Sequence, residues 1–304
     1  MTKSERPTDR PDTPPTGAAA WWAGARPRTL PVSVVPVLVG TGVASATSSV
    51  VWWRAALALI VSLALQVGVN YANDYSDGIR GTDANRVGPL RLTASGTFPP
   101  RAVFTAAMAA FAVAGVAGFI LAASASWWLL LVGVACVAAA WFYTGGSTPY
   151  GYRALGDASV FVFFGLVAVV GTAFVASAHP SITWLAVACA VPCGLLAVAV
   201  LVANNLRDIP RDAQTNKHTL AVLLGDRRTR LMYAGCAIIP FVLTLVLITD
   251  RPWTAVALLA APLAAVPTLQ VLRGASGRDL IPVLGATGRL QLGFGILLAI
   301  GLAL

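Results

Sequence analysis

Five aspartates in two short stretches are the residues of this chain best suited to chemistry. NYANDYSDGIRGTD (70–83) carries Asp74, Asp77 and Asp83, and NNLRDIPRD (204–212) carries Asp208 and Asp212. Each stretch closes a long apolar run. Asp74 and Asp77 stand three apart, Asp208 and Asp212 four apart, so on a continuous helix each pair shares a face. Pro210 lies between the second pair and favours loosening of the helix there. Asn70 and Asn73 lie on the turn leading into the first pair, and Asn204 and Asn205 hold the equivalent place before the second.

Carboxylates and amides without histidine or thiolate are hard oxygen donors, the set that suits Mg²⁺. The chain has only two histidines, His179 and His218. Its four cysteines, Cys136, Cys189, Cys193 and Cys236, lie inside apolar runs with no metal-binding spacing and read as small buried hydrophobes. Mg²⁺ is seldom caged by protein alone; it usually bridges a few carboxylates to substrate phosphates. Arg80, Arg86, Arg91, Arg207, Arg211 and Lys217 share these stretches and can hold phosphate oxygens. The combination points to a diphosphate bound through Mg²⁺. Acids that only solvate or cap helix ends would account for one aspartate more readily than for five. Mg²⁺ withdraws charge from a leaving diphosphate, and an allylic diphosphate then gives a carbocation that an electron-rich ring can attack. WFYTGGSTPYGYR (141–153) and FVFF (161–164) offer ring faces to such a cation, Tyr143 foremost. Aromatics near an interface also anchor helices.

The elements that must position these groups are transmembrane. The chain is 57% hydrophobic and 11% charged, with mean hydropathy +0.76, where a soluble domain carries about a quarter charged residues. Nine apolar stretches approach the length of a span: 30–47, 55–72, 102–124, 126–143, 158–177, 183–206, 230–249, 252–272 and 287–304. Pro192 and Pro240 predict kinks in two of them. With a cytoplasmic N-terminus, nine spans put every lysine and arginine on the cytoplasmic side except Arg54 and Arg251. The long 2–3 loop (73–101) and 6–7 loop (207–229) then form a polar cytoplasmic cap, and both aspartate clusters sit in it. Residues 1–20 are polar and proline-rich without an apolar signal core, and read as a disordered cytoplasmic tail before a single domain, 21–304. The expected fold is an all-α integral membrane bundle of nine helices.

At Asn73-Asp74-Tyr-Ser-Asp77 and Asp208-Ile-Pro-Arg-Asp212 the sequence resembles the UbiA-type intramembrane aromatic prenyltransferases. It looks most like their 1,4-dihydroxy-2-naphthoate branch, through ARPRTLPVSVVPVLVG (25–40), NDYSDGIRGTDANRVGPLRLTASG (73–96), TPYGYRALGD (148–157) and NNLRDIPRDAQTNKHTLAVLLG (204–225). The resemblance implies that Asp74, Asp77, Asp208 and Asp212 hold Mg²⁺ against a polyprenyl diphosphate, with Asp83, Asn70, Asn73 and Asn204 as further ligands or supports. It implies Arg86, Arg91, Lys217 and Arg26 on phosphate, and Tyr143 and Arg153 facing the acceptor or cation. The implied reaction prenylates 1,4-dihydroxy-2-naphthoate with loss of its carboxylate, giving demethylmenaquinone, at the cytoplasmic face of a bacterial plasma membrane. Two positions depart from the pattern. Where the wider superfamily often has a third aspartate this chain has Gly81, with Asp83 two residues on, and Asn216 and His218 replace a glycine and an arginine.

Two other readings stay open at this level. One is the same fold acting on another acceptor such as 4-hydroxybenzoate. The other is a cation-coupled transporter, although transporters gather ionisable groups at mid-membrane and here they gather at one interface. A CDP-alcohol phosphotransferase fails early: Asp74-x-x-Asp77-Gly78 begins its motif, but no alanine-arginine follows at the required offset.

Overall fold

In the computed structural model, residues 15–81, 90–215 and 217–304 are described, and among them the chain is helical throughout, with two isolated β-bridges. The helices are α1 (Gly17–Gly24), α2 (Pro31–Thr47), α3 (Trp52–Ile79), α4 (Pro100–Ser124) and α5 (Leu129–Phe142). Next, α6 (Gly156–Val160) runs through a π-helical stretch, Phe161–Val167, into α7 (Ala168–Ala176). Then come α8 (Trp184–Gln214), α9 (Leu220–Asp250), α10 (Ala261–Leu272), which continues a 3₁₀ stretch from Pro252, and α11 (Leu280–Ala303). Seven of these segments are long and apolar enough to cross a membrane, and α1 with α2, bent by 54°, forms an eighth. The remaining predicted span, 126–143, appears as the apolar but shorter α5, of 14 residues.

Local signals explain the helix starts. Pro31 and Pro100 open α2 and α4, where a missing N–H costs nothing. Thr183 and Thr219 cap α8 and α9 by accepting from the N–H of Ala186 and Val222. Small residues then set how closely helices cross. The Cα of Gly165 lies so near Gly194 that a Cβ there would come within 2.7 Å of it, which locks the π stretch onto α8. Side chains facing out from α4, α5 and α9, such as Val116, Leu131 and Val246, are apolar and exposed, as a lipid-facing surface requires.

Several boundaries move from those read in the sequence. The tail read as 1–20 ends earlier, because α1 starts at Gly17 and Ala20 is fully buried. Tertiary contacts order it: Trp21 stacks on Phe98 at 4.4 Å, and the Tyr71 hydroxyl donates to the Trp21 carbonyl. Both polar loops are shorter than expected. α3 continues to Ile79 and α8 to Gln214, straight through Pro210, so both aspartate pairs lie on helix. Pro192 and Pro240 likewise lie within helix; α9 also has a backbone break at Gly225, in the left-handed region at φ 74°.

Candidate active site

One amphiphilic cavity of about 1030 Å³ opens between α2, α3, α5, α6–α7 and α8. On α3 its wall carries Gln66, Asn70, Asn73 and Asp77, spaced four, three and four apart, a single stripe of the helix. On α8 the matching stripe is Ala197, Val200, Leu201, Asn204 and Asp208. Both stripes change from apolar to polar toward the same end. That end also carries Arg26, Arg28, Arg91, Arg207 and Lys217. Five cations against two lining carboxylates favour a polyanionic ligand. The other end is walled by Leu121, Leu129, Val132, Val167 and Val175.

The carboxylates differ in their partners. Asp77 is buried and accepts from the Tyr152 hydroxyl at 2.5 Å. Two cations lie by the Tyr152 ring, with Lys217 Nζ at 5.3 Å and the Arg80 guanidinium at 5.8 Å from its centre. Arg80 also donates to the Thr144 and Gly146 carbonyls, and the Thr144 hydroxyl donates to Asn73 Oδ1 at 2.6 Å. The 144–152 segment is thereby tied to α3. Its other side pairs with the connection between α8 and α9, where the His218 N–H donates to the Tyr152 carbonyl at 3.0 Å. Asp208 forms a two-pronged pair with its neighbour Arg207, at 2.8 and 2.9 Å. Asp212 is buried one turn further along, with Lys217 Nζ 3.9 Å from its Oδ1. Asp74, 1% exposed, does not line the cavity; its two oxygens accept from the N–H groups of Leu92 (2.8 Å) and Thr93 (3.0 Å).

Of the residues named from sequence, Asp77, Asp208, Asn70, Asn73, Asn204, Arg26, Arg91, Lys217 and Tyr143 therefore meet around one cavity. Asp74 and Asp212 sit behind its wall. Arg153 is exposed and outside the lining; its backbone bridges to His218. Asp83, Arg86 and Asn216 lie outside the described residues. Sequence reasoning missed Gln66 and Arg28, and offered Tyr150 and Tyr152 only as ring faces of the 141–153 run, not as hydrogen-bond donors. Gln66 and Asn70 prop the α1–α2 hinge, through Thr29 Oγ1 at 3.3 Å and the Ala25 carbonyl at 2.9 Å. Arg26 occupies that hinge with a left-handed backbone, φ 56°, a costly conformation for a non-glycine residue. Tyr150 donates to the Ala139 carbonyl at 2.8 Å, and burial pushes its phenol above the usual range. The polar spacing in α3, four then three then four, was the available signal for Gln66.

The donor set fits a hard cation. The polar end presents carboxylate and amide oxygens from two facing helices, without histidine or thiolate among them. Among the described residues no three acidic, histidine or cysteine side chains converge into a ready cage. An ion held here would need ligand oxygens from its substrate, as Mg²⁺ sites commonly do.

The architecture is thus a helical membrane bundle with hard-oxygen and cationic groups at one end of a cavity whose other end is apolar. The chain belongs to the UbiA prenyltransferase family, whose pattern matches residues 33–284. It is 53% identical to a 1,4-dihydroxy-2-naphthoate octaprenyltransferase of Mycobacterium tuberculosis, over 94% of this chain and 97% of that one. The Escherichia coli protein of the same description is 36% identical, over 94% and 95%. A UbiA homolog from Archaeoglobus fulgidus solved with GPP and Mg²⁺ superposes with TM-score 0.62 at 15% identity, covering 92% of this chain and 99% of its own. The apo UbiA homolog of Aeropyrum pernix superposes with TM-score 0.66 at 17% identity, over 89% and 96%. These likenesses show that the fold is shared.

Proposed function

We propose that this chain transfers a polyprenyl group from polyprenyl diphosphate to 1,4-dihydroxy-2-naphthoate, with loss of the carboxylate, as a step of menaquinone biosynthesis. The observation that carries the reading is the cavity: cations and hard oxygens at one end, a hydrocarbon-lined passage at the other, in a chain 53% identical to a relative of that description.

The diphosphate lies at the polar end. Arg26, Arg91 and Lys217 neutralise its oxygens, and the family resemblance assigns Arg86 the same task. Asp77 and Asp208, with amide oxygens of Asn70, Asn73 and Asn204, would hold Mg²⁺; Asp212 steers Lys217 from behind. When bound, Mg²⁺ supplies charge to the departing diphosphate. The allylic C–O bond breaks and its electron pair leaves with the diphosphate. Tyr143, Phe163 and Phe164 line the passage beyond, and their ring faces stabilise the positive charge. The ring carbon that bears the carboxylate supplies the pair for the new C–C bond. The carboxylate departs as CO₂, and its bonding pair restores the aromatic ring. The product is demethylmenaquinone in its hydroquinone form. Apolar walls keep water from the cation.

We also read α5 as a ninth crossing and place the N-terminus and the polar end on the cytoplasmic side. The distribution of lysine and arginine supports this, with Arg54 and Arg251 alone opposite.

Purified protein in detergent, with Mg²⁺ and radiolabelled polyprenyl diphosphate, tests the reading. A lipid product is expected with 1,4-dihydroxy-2-naphthoate, lost with EDTA and restored by Mg²⁺. Product with 4-hydroxybenzoate alone would overturn the acceptor; no product with either would overturn the reaction.

A further inference from the structure

Asp74 belongs to the first aspartate motif, yet its carboxylate is engaged away from the cavity. It is 1% exposed, and each of its oxygens accepts from a backbone N–H, Leu92 at 2.8 Å and Thr93 at 3.0 Å. Two consecutive amides aimed at the two oxygens of one carboxylate form a charge-assisted clamp. The clamped segment is part of the site. Arg91, immediately before Leu92, is buried and lines the cavity's polar end. Leu92 is fully buried beneath α1, so close that a Cβ on Gly24 would meet it at 2.7 Å. The Leu92 carbonyl accepts from the N–H of Phe98, and Phe98 stacks on Trp21. Gly78, one turn after Asp74 on α3, leaves room for Thr93, which a Cβ there would meet at 2.4 Å. Helix α3 is thus shaped to receive this segment, and Asp74 is the charged group that fixes it.

We infer that Asp74 is a positioning residue: it holds the 90–98 segment so that Arg91 meets the diphosphate, while Asp77, four-fifths of a turn further on, serves the cation from the cavity wall. This rests on the reading that a diphosphate occupies the polar end. The division of labour puts the two aspartates of one motif on different tasks. Asp74 acts through Arg91, and its loss acts on substrate affinity rather than on the demand for metal.

The first test uses the wild-type protein in detergent without substrate. Backbone amide exchange is followed in the peptide spanning 90–98, with and without Mg²⁺. The clamp predicts slow exchange at Leu92 and Thr93 in both conditions. Faster exchange there on adding Mg²⁺ would show the carboxylate leaving its amides for the ion and would overturn the inference. The second test compares Asp74→Asn, Arg91→Ala and the double variant. Expected for Asp74→Asn are faster exchange at 92–93, polyprenyl diphosphate binding weakened about tenfold or more, and an unchanged Mg²⁺ half-saturation. The double variant should bind no more weakly than the weaker single. A Mg²⁺ half-saturation raised about tenfold or more with exchange at 92–93 unchanged, or additive losses in the double variant, would overturn it. Wild-type protein that binds no polyprenyl diphosphate would instead count against the functional reading, and the exchange measurement would still decide the clamp.

Discussion

Asp77 receives its hydroxyl partner from Tyr152, and that partner can be removed without disturbing the ring beside Lys217 and Arg80. Tyr152→Phe is expected to keep the fold and lower kcat/KM about tenfold, the worth of one hydrogen bond to a charged group; steady-state kinetics beside a thermal melt would check it. Asp208→Ala is expected to abolish turnover and to lower the melting temperature, because it leaves Arg207, whose side chain is 3% exposed, without its two-pronged partner. Near-normal activity in folded protein would remove Asp208 from the metal assignment. At this scale the sequence was informative where chemistry and period coincide. Asp77, Asp208 and their asparagines were legible as helical stripes of oxygen donors. The destination of Asp74 was not, since its partners lie 18 and 19 residues away and are backbone groups of no special type. Arg153 failed for a related reason. It follows the 3₁₀ turn Tyr150–Tyr152 and precedes Ala154 with φ 58°, and that local geometry leaves its side chain outside the cavity.

Helices α6–α7 and α8 meet where Gly165 faces Gly194, and the same π stretch carries Phe163 and Phe164 on the cavity wall. Gly165→Val would drive a side chain into the Gly194 backbone. It is expected to cost about 1–3 kcal/mol and to impair turnover as the phenylalanines shift. Gly115→Ala on exposed α4, where a Cβ meets nothing, should leave both unchanged. Detergent-phase melting curves for the two variants give the comparison. The positions of the helices were legible because each span is a long apolar run. Their ends were not, because α3 and α8 continue past the apolar stretch, their polar last turns held by neighbours instead of by lipid. A pattern read from hydropathy stops where the oil stops; the helix stops later. Pro210 misled for the same reason: proline disfavours helix locally, and here tertiary packing outweighs it. The π stretch leaves no hydropathy signature at all.

The proposed nine-span arrangement polarises the molecule, with both aspartate pairs and all lysines and arginines except Arg54 and Arg251 on one side. A single cysteine at Ser276, in a background without the four native cysteines, should react with an impermeant maleimide only from the cytoplasmic side. One at His179 should react only from the opposite side. The reverse pattern would overturn the orientation. In the proposed nine-crossing arrangement α5 is the odd one. Its 14 residues rise about 21 Å at 1.5 Å each, against roughly 30 Å of hydrocarbon in a typical bilayer. On the proposed nine-crossing reading the bilayer thins around α5, at a cost of fractions of a kcal/mol per ångström. Because α5 forms one wall of the substrate passage, lipid acyl length becomes a control on the enzyme. Turnover measured in vesicles of graded chain length should peak in thin bilayers and fall as the acyl chains lengthen.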